Sequence, residues 1–412
     1  MKFLYLSVNE TWDESIKDSL NTLGQTVLDF YFPEKINTKE FVVLSETNRY
    51  ALVTALQKKG YDFVFSVSYI HEVSVVCNMM GVLYLSWTME YPNMDLLRDS
   101  VINPCNCFFL SDKAEIDRLI SLGVENVFYL PAAARNVVIL QEEDFKQEAN
   151  GEEEDVENGV VENVVIETEV EDAIEKYLVS YFGKILEADP HSCFATDSTL
   201  SAESRGYLDG LVHCQRIAYG MNVLKGGVPV NVLADLKEKY PLSVPTGVMV
   251  SEWEVYLKKW IYNRVSSQER LVLVQGIDDV VTVFSKDEMA YKYFSRTKLL
   301  DEGVKKEAVI VNSRINLHIA DRQLQRGIPA NVFEIMAQGG FLLCSYCPDM
   351  EEFFVPRKDY AYFEDEHDLK QKINFYLRKG KKRREMAKCA YEKVQKEHLV
   401  IHRMEKMLQI LL

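Results

Sequence analysis

Short apolar runs alternate with helix-patterned stretches in two separate blocks, and this alternation limits the fold more than any other feature. In the first block, Phe3 to Val8, Thr26 to Phe30, Phe63 to Val67, Val82 to Trp87, Cys107 to Leu110 and Val127 to Leu130 read as strands. Between them, Asp13 to Leu23 has helical spacing and stops at Gly24, Tyr50 to Lys59 stops at Gly60, and a third stretch runs to Met80 and Gly81. Continuous apolar strands, each followed by a helix, are what a parallel sheet covered on both faces requires. In the second block, Leu271 to Val274, Val280 to Phe284, Ala308 to Val311, Ile315 to Ile319, Phe341 to Ser345 and Tyr360 to Phe363 read as strands. Asn331 to Gln338, Leu369 to Lys379 and Lys382 to Leu412 read as helices. The pattern predicts an α/β chain with two Rossmann-like domains.

The 412 residues suffice for two such cores. The boundaries fall at 1–140 for the first domain, 141–163 for an acidic linker or loop, and 164–262 for the start of the second domain with a helical insertion. Residues 263–395 then form the second Rossmann-like domain, and 396–412 a terminal helix expected to cross back to the first. Between Gln141 and Asp172 there are fourteen Asp or Glu residues and one Lys, so −13 of the net −16 lies there. Like charge with few aromatics cannot bury enough apolar area to offset ordering entropy, which predicts a solvated segment or a docking tail for a basic protein partner.

The acidic balance argues against a nucleic-acid partner. The eight cysteines show no paired metal spacing, and Cys105 and Cys107 have a single residue between them. Cys77, Cys214 and Cys389 have apolar neighbours and are expected to be buried thiols, as in a reduced, cytoplasmic compartment. The apolar run at the N-terminus is too short for a signal-peptide core. No window approaches the roughly 18 apolar residues of a membrane span, so any membrane contact is expected to be peripheral, at the inner face. The basic run Arg378 to Arg384 fits a solvated helix junction, or attraction to anionic lipid. Tyr291, Tyr293 and Phe294 are expected in the core.

The segment RQLQRGIPANVFEIMAQGGFLL, Arg322 to Leu343, carries the candidate chemistry. Gly327-Ile328-Pro329 makes a turn into a helix whose N-terminus offers free N–H groups to phosphate. Glu334, early in that helix, suits the hydroxyls of a ribose. Gly339 and Gly340 would let backbone approach a ligand. Read alone, the same residues also fit a solvated carboxylate and a plain helix cap.

The whole segment resembles the CgeB-like, DUF3880-containing (spore maturation protein-like) glycosyltransferases. The likeness begins at NSRINLHIADRQLQRGIPANVFEIMAQGGFLL. It extends to YDFVFSVSYIHEVSVVCNMMGVLYLSWTMEYP and CNCFFLSDKAEIDRLISLGVENVFYLPAAA in the first domain, and to RGYLDGLVHCQRIAYGMNVL in the middle. It implies a GT-B fold, two facing Rossmann-like domains with the acceptor on the first. It also implies a UDP- or GDP-linked sugar donor on the second, handled without a metal or other cofactor. On that basis the donor-binding candidates are Ser313, Arg322, Gly327, Asn331, Glu334, Gly339 and Gly340. Arg322 would counter diphosphate charge. His71 and Glu90 are the candidates for acid–base work.

Three positions depart from the family's pattern. Arg326 stands where related retaining enzymes have an acid for the donor sugar. Val164 to Thr168, the best match to the first strand of the second domain, places Glu167 where glycine is usual. Glu90, two residues before Pro92, replaces an Asp adjacent to the proline. The expected activity is transfer of a hexose-like sugar to a cell-surface, polysaccharide, lipid-linked or protein acceptor. The alternative is a catalytically inactive GT-B protein that partners or chaperones an active glycosyltransferase.

Overall fold

In the computed structural model, twelve strands among the described residues form two parallel sheets of six. The structure describes all residues except 9–10, 39, 59, 136–175, 186–192, 195–197, 219–220, 287 and 300–304. The acidic linker, residues 141–163, and the segment 164–168 with Glu167 lie outside the described residues.

The first sheet contains β1 (Lys2–Ser7), β2 (Thr26–Tyr31), β3 (Phe63–Val67), β4 (Leu83–Thr88), β5 (Asn106–Leu110) and β6 (Val127–Tyr129), in the order β2-β1-β3-β4-β5-β6. The second contains β7 (Tyr177–Phe182), β8 (Val281–Ser285), β9 (Thr297–Leu299), β10 (Ser313–His318), β11 (Leu342–Ser345) and β12 (Ala361–Phe363), in the order β12-β11-β10-β7-β8-β9. In this doubly wound order the strand sequence reverses between β7 and β10, so a crevice opens at their carboxyl ends. All six residues of β10 are buried, as a central parallel strand requires.

Several segments differ from the sequence reading. The first strand of the second sheet is β7, and the residue after it is Gly183, not Glu167. Gly183 has φ +145, a conformation that favours glycine. Leu271 to Val274 lies in the helix Tyr262–Gln275, and Ala308 to Val311 in the helix Lys306–Val311. A four-residue apolar run has no period that separates helix from strand. The terminal helical stretch breaks into Gly380–Glu397 and Val400–Leu411. None of the eight cysteines forms a disulfide among the described residues; Cys77 is buried, but Cys214 is exposed and Cys389 half-buried. Phe294 is buried, whereas Tyr291 and Tyr293 are exposed.

Between β7 and β8 the chain inserts helices at Ala202–Ile217, Val230–Lys239 and Glu252–Tyr256, the last running through a π-helical turn, Leu257–Ile261, into Tyr262–Gln275. They share a core of Leu208, Val212, Leu236, Trp253, Tyr256 and Val265. Lys258 in the π turn, a local widening often found at functional positions, pairs with Glu115 of the first domain.

Two further contacts fix the domains to each other. Asp112 accepts backbone N–H groups of Gln325 at 2.9 Å and Arg326 at 3.1 Å. The last helix returns to the first domain, where Met404, Met407 and Leu408 share a core with Ile16 and Leu20. Its buried Arg403 donates to the carbonyls of Pro131 and Ala132 at 3.0 and 3.1 Å.

Candidate functional site

Both sheets point the carboxyl ends of their central strands at one cleft of about 740 Å³ between the domains. The first domain supplies Thr11 and Trp12 after β1, Ser68 after β3, and Met89 to Pro92 after β4. The second supplies Gly183 and Lys184 after β7, His318, Ile319 and Asp321 at and after the end of β10, and Pro329, Ala330, Asn331 and Glu334 at the cap and in the first turns of the next helix, Ala330–Ala337.

Glu334 is largely shielded, and both its oxygens are engaged. Arg135 Nε donates to Oε1 at 2.8 Å, and Lys306 Nζ to Oε2 at 2.6 Å. Burial pushes the carboxyl's pKa up, but Lys306 and Arg135 outweigh it and hold Glu334 below the ordinary carboxylate value. Lys306 also donates to the side-chain oxygen of Asn331. Asp321 accepts from Arg270 at 2.8 Å and from Ser266 at 3.2 Å. Lys259 bridges the cleft to Glu40 at 3.0 Å. Lys184 is exposed on the cleft wall, and its ammonium has no ion-pair partner among the described residues.

Besides the charged groups, including the Arg270–Asp321 pair, two neutral side chains line the cleft. His318 is 9% exposed, and burial, then Arg270 and Lys306, push its imidazole pKa down to about 3. Gln323 is 4% exposed. Ser68 takes a left-handed backbone, φ +68, unusual for a residue with a side chain. Such strain is concentrated at functional positions.

Of the sequence candidates, the structure brings Glu90, Asn331 and Glu334 to the cleft. Glu90 is exposed there, on the first-domain side. The others are placed elsewhere, each for a physical reason. His71 opens the helix after β3 but turns to Ser100 Oγ, 2.6 Å from Nδ1, and is buried. The cleft position after β3 belongs to Ser68. Arg322 is committed to the buried Glu269 through two hydrogen bonds of 2.9 and 3.0 Å. Ser313 begins β10, at the end remote from the cleft, and donates to the Val309 carbonyl. Gly327 packs on the first domain, where an added Cβ would lie 2.1 Å from the Ser111 carbonyl oxygen. Gly339 and Gly340 follow the far end of the helix, and a Cβ on Gly340 would meet Ile310 at 2.6 Å. Arg326, at the expected acid position, pairs on the surface with Asp117 at 2.9 Å.

Sequence reasoning missed Gly183, Lys184, Arg135, Lys306, His318 and Gln323. Gly183 had a readable signal, a six-residue apolar strand ending in Phe-Gly-Lys. Arg135 and Lys306 meet Glu334 from far along the chain, and no spacing reports that. Among the described residues no group of three or more His, Cys, Asp or Glu could hold a metal ion, and no helix is long and apolar enough to cross a membrane.

Residues 303–409, about a quarter of the chain, match the family model described as Glycosyl transferase-like. No curated protein matches the chain. Among solved structures, Anabaena HepE in complex with UDP and glucose superimposes with a TM-score of 0.54 at 10% identity, over 100% of this chain and 99% of its own. Sucrose-phosphate synthase from Thermosynechococcus elongatus gives 0.52 at 11% identity over 100% and 99%. A glycosyltransferase from Rickettsia africae gives 0.50 at 10% identity over 99% and 97%. At such identities the likeness is one of fold. The chain therefore has the GT-B fold, and its residues 303–409 carry a glycosyl transferase-like domain.

Proposed function

We propose that this protein is a glycosyltransferase that binds a nucleoside-diphosphate sugar in the interdomain cleft and passes the sugar to an acceptor on the first-domain side. The carrying observation is the cleft itself. A glycine-ended strand, a free Lys184, and a Lys306–Asn331–Glu334 cluster at a helix start meet at the switch point of the second sheet.

The roles follow from charge and geometry. The N–H groups at the start of the helix Ala330–Ala337, with Lys184 and Lys306, suit a diphosphate. These cations can take up the charge that develops on the leaving diphosphate, so the reading needs no metal. Glu334 suits the two ribose hydroxyls, with Lys306 and Arg135 shifting toward phosphate as the sugar ring enters. Gly183 lets the diphosphate approach the backbone. Glu90 is the carboxylate on the acceptor side that is placed to receive a proton from an attacking hydroxyl. Anabaena HepE, crystallised with UDP and with UDP-glucose, has the same fold and supports a uridine-type donor.

A cell-surface, polysaccharide, lipid-linked or protein acceptor, a CgeB-like family assignment and a cytoplasmic site of action complete the reading. A hydrolysis screen with UDP- and GDP-linked hexoses tests it. Slow release of UDP or GDP from at least one donor, abolished by Lys306→Ala, is expected. Release from none, together with no thermal shift by UDP or GDP, would mean that the cleft does not take nucleotide.

A further inference from the structure

The wall of the cleft formed by His318 and Gln323 carries an arrangement that the nucleotide reading leaves unused. His318 Nε2 and Gln323 Oε1 are both buried and have no hydrogen-bond partner among the described residues. Both residues line the cleft and are more than nine-tenths buried. Native structures rarely leave such atoms unpaired without a role.

The orientation of the Gln323 amide is fixed. Its nitrogen donates to the Lys258 carbonyl and, at 2.8 Å, to Asn263 Oδ1. The remaining atom is therefore an acceptor. An acceptor repels phosphate oxygens, so Gln323 does not suit the diphosphate. His318 is an uncharged imidazole among Arg270, Lys306 and Asp321, so its Nε2 either donates or accepts one neutral hydrogen bond. A hydroxyl satisfies both atoms, because it donates to an amide oxygen and accepts from, or donates to, an imidazole nitrogen. A sugar ring presents several hydroxyls at fixed spacing.

We propose that His318 and Gln323 form the subsite for the hydroxyl groups of the donor sugar. The inference rests on the nucleotide-sugar reading of the cleft. It makes the two residues determinants of which sugar is accepted.

The test compares bare nucleotides with their sugar conjugates: UDP with UDP-glucose, and GDP with GDP-mannose. In His318→Ala and Gln323→Met the sugar conjugate should bind roughly three- to tenfold more weakly, the worth of one neutral hydrogen bond. The bare nucleotide should stay within about twofold of the parent. In the parent labelled with 15N-histidine, the His318 Nε2 resonance should move on adding the sugar conjugate and stay in place with the bare nucleotide. This second measurement needs no variant to fold. Equal weakening of nucleotide and conjugate, or a His318 resonance that ignores the sugar, overturns the subsite while leaving the nucleotide site standing. A parent that binds none of the four compounds overturns the cleft reading itself, and this inference with it.

Discussion

Gly327→Ala probes a close contact between the two domains. The added methyl carbon would lie 2.1 Å from the Ser111 carbonyl oxygen. Ordinary contact begins near 3.4 Å, so the loop must retreat by roughly 1 Å or the Ser111 backbone must yield. Three hydrogen bonds cross at this point: Lys113 N–H to the Arg326 carbonyl at 2.8 Å, and Gln325 and Arg326 N–H to Asp112 at 2.9 and 3.1 Å. A retreat of about 1 Å carries each beyond hydrogen-bonding distance. One neutral bond and two to a carboxylate are worth, net and allowing for partial relaxation, about 4 kcal/mol. The expected result is a lower melting temperature and faster amide exchange confined to residues near Lys113, Gln325 and Arg326. Gly339→Ala serves as the control. It has no atom within 4 Å of the new carbon but a φ of +71, so it should cost about 1 kcal/mol of backbone strain and leave those amides protected. Unchanged exchange and melting in Gly327→Ala would refute the close-approach argument.

Further tests address the charges that brace the cleft. Burial pushes the Glu115 carboxyl up, but Lys258 and Arg118 outweigh it and hold its pKa at about 2. A pKa depressed in the folded state contributes stability that is present above the unfolded carboxylate value. That stability, about 3 kcal/mol, is lost as pH falls from about 4.5 toward 2, so urea titrations across this range should show a steep loss that Glu115→Gln flattens. Arg322→Ala leaves Glu269, 2% exposed, without its bidentate partner, and should cost about 3–5 kcal/mol in chemical denaturation. Its nucleotide affinity, measured at a temperature where the variant is folded, should match the parent's. His71→Ala should likewise leave donor hydrolysis intact, because the imidazole lies outside the cleft lining; a hundredfold loss of rate in a folded variant would restore it as a candidate.

The limits of the sequence reading have physical causes. Buried parallel strands are continuous apolar runs, so β1 to β6 and most of the second sheet were visible. The strand Tyr177–Phe182 was hidden behind a long acidic stretch in a region patterned as helix. Its absence from the reading moved the expected glycine to the wrong segment and made Glu167 look like a defect. Asn331 and Glu334 were legible because the turn at Gly327 to Pro329 aims the helix start at the crevice. Gly339 and Gly340 were not, because an eight-residue helix places them roughly 12 Å from its N-terminus. The fate of Arg322 depended on Glu269, fifty-three residues away. The engagement of Glu334 depended on Arg135, at the close of the first domain. Partners of that kind are set by packing, and local pattern carries no trace of them.

The central claim is that a nucleoside-diphosphate sugar occupies the cleft against Glu334. Calorimetric titration of the parent and of Glu334→Ala with the best donor from the hydrolysis screen tests it most directly. Losing the carboxylate's two hydrogen bonds to ribose predicts a Kd raised by roughly tenfold or more. A variant that binds the donor as tightly as the parent would contradict the account.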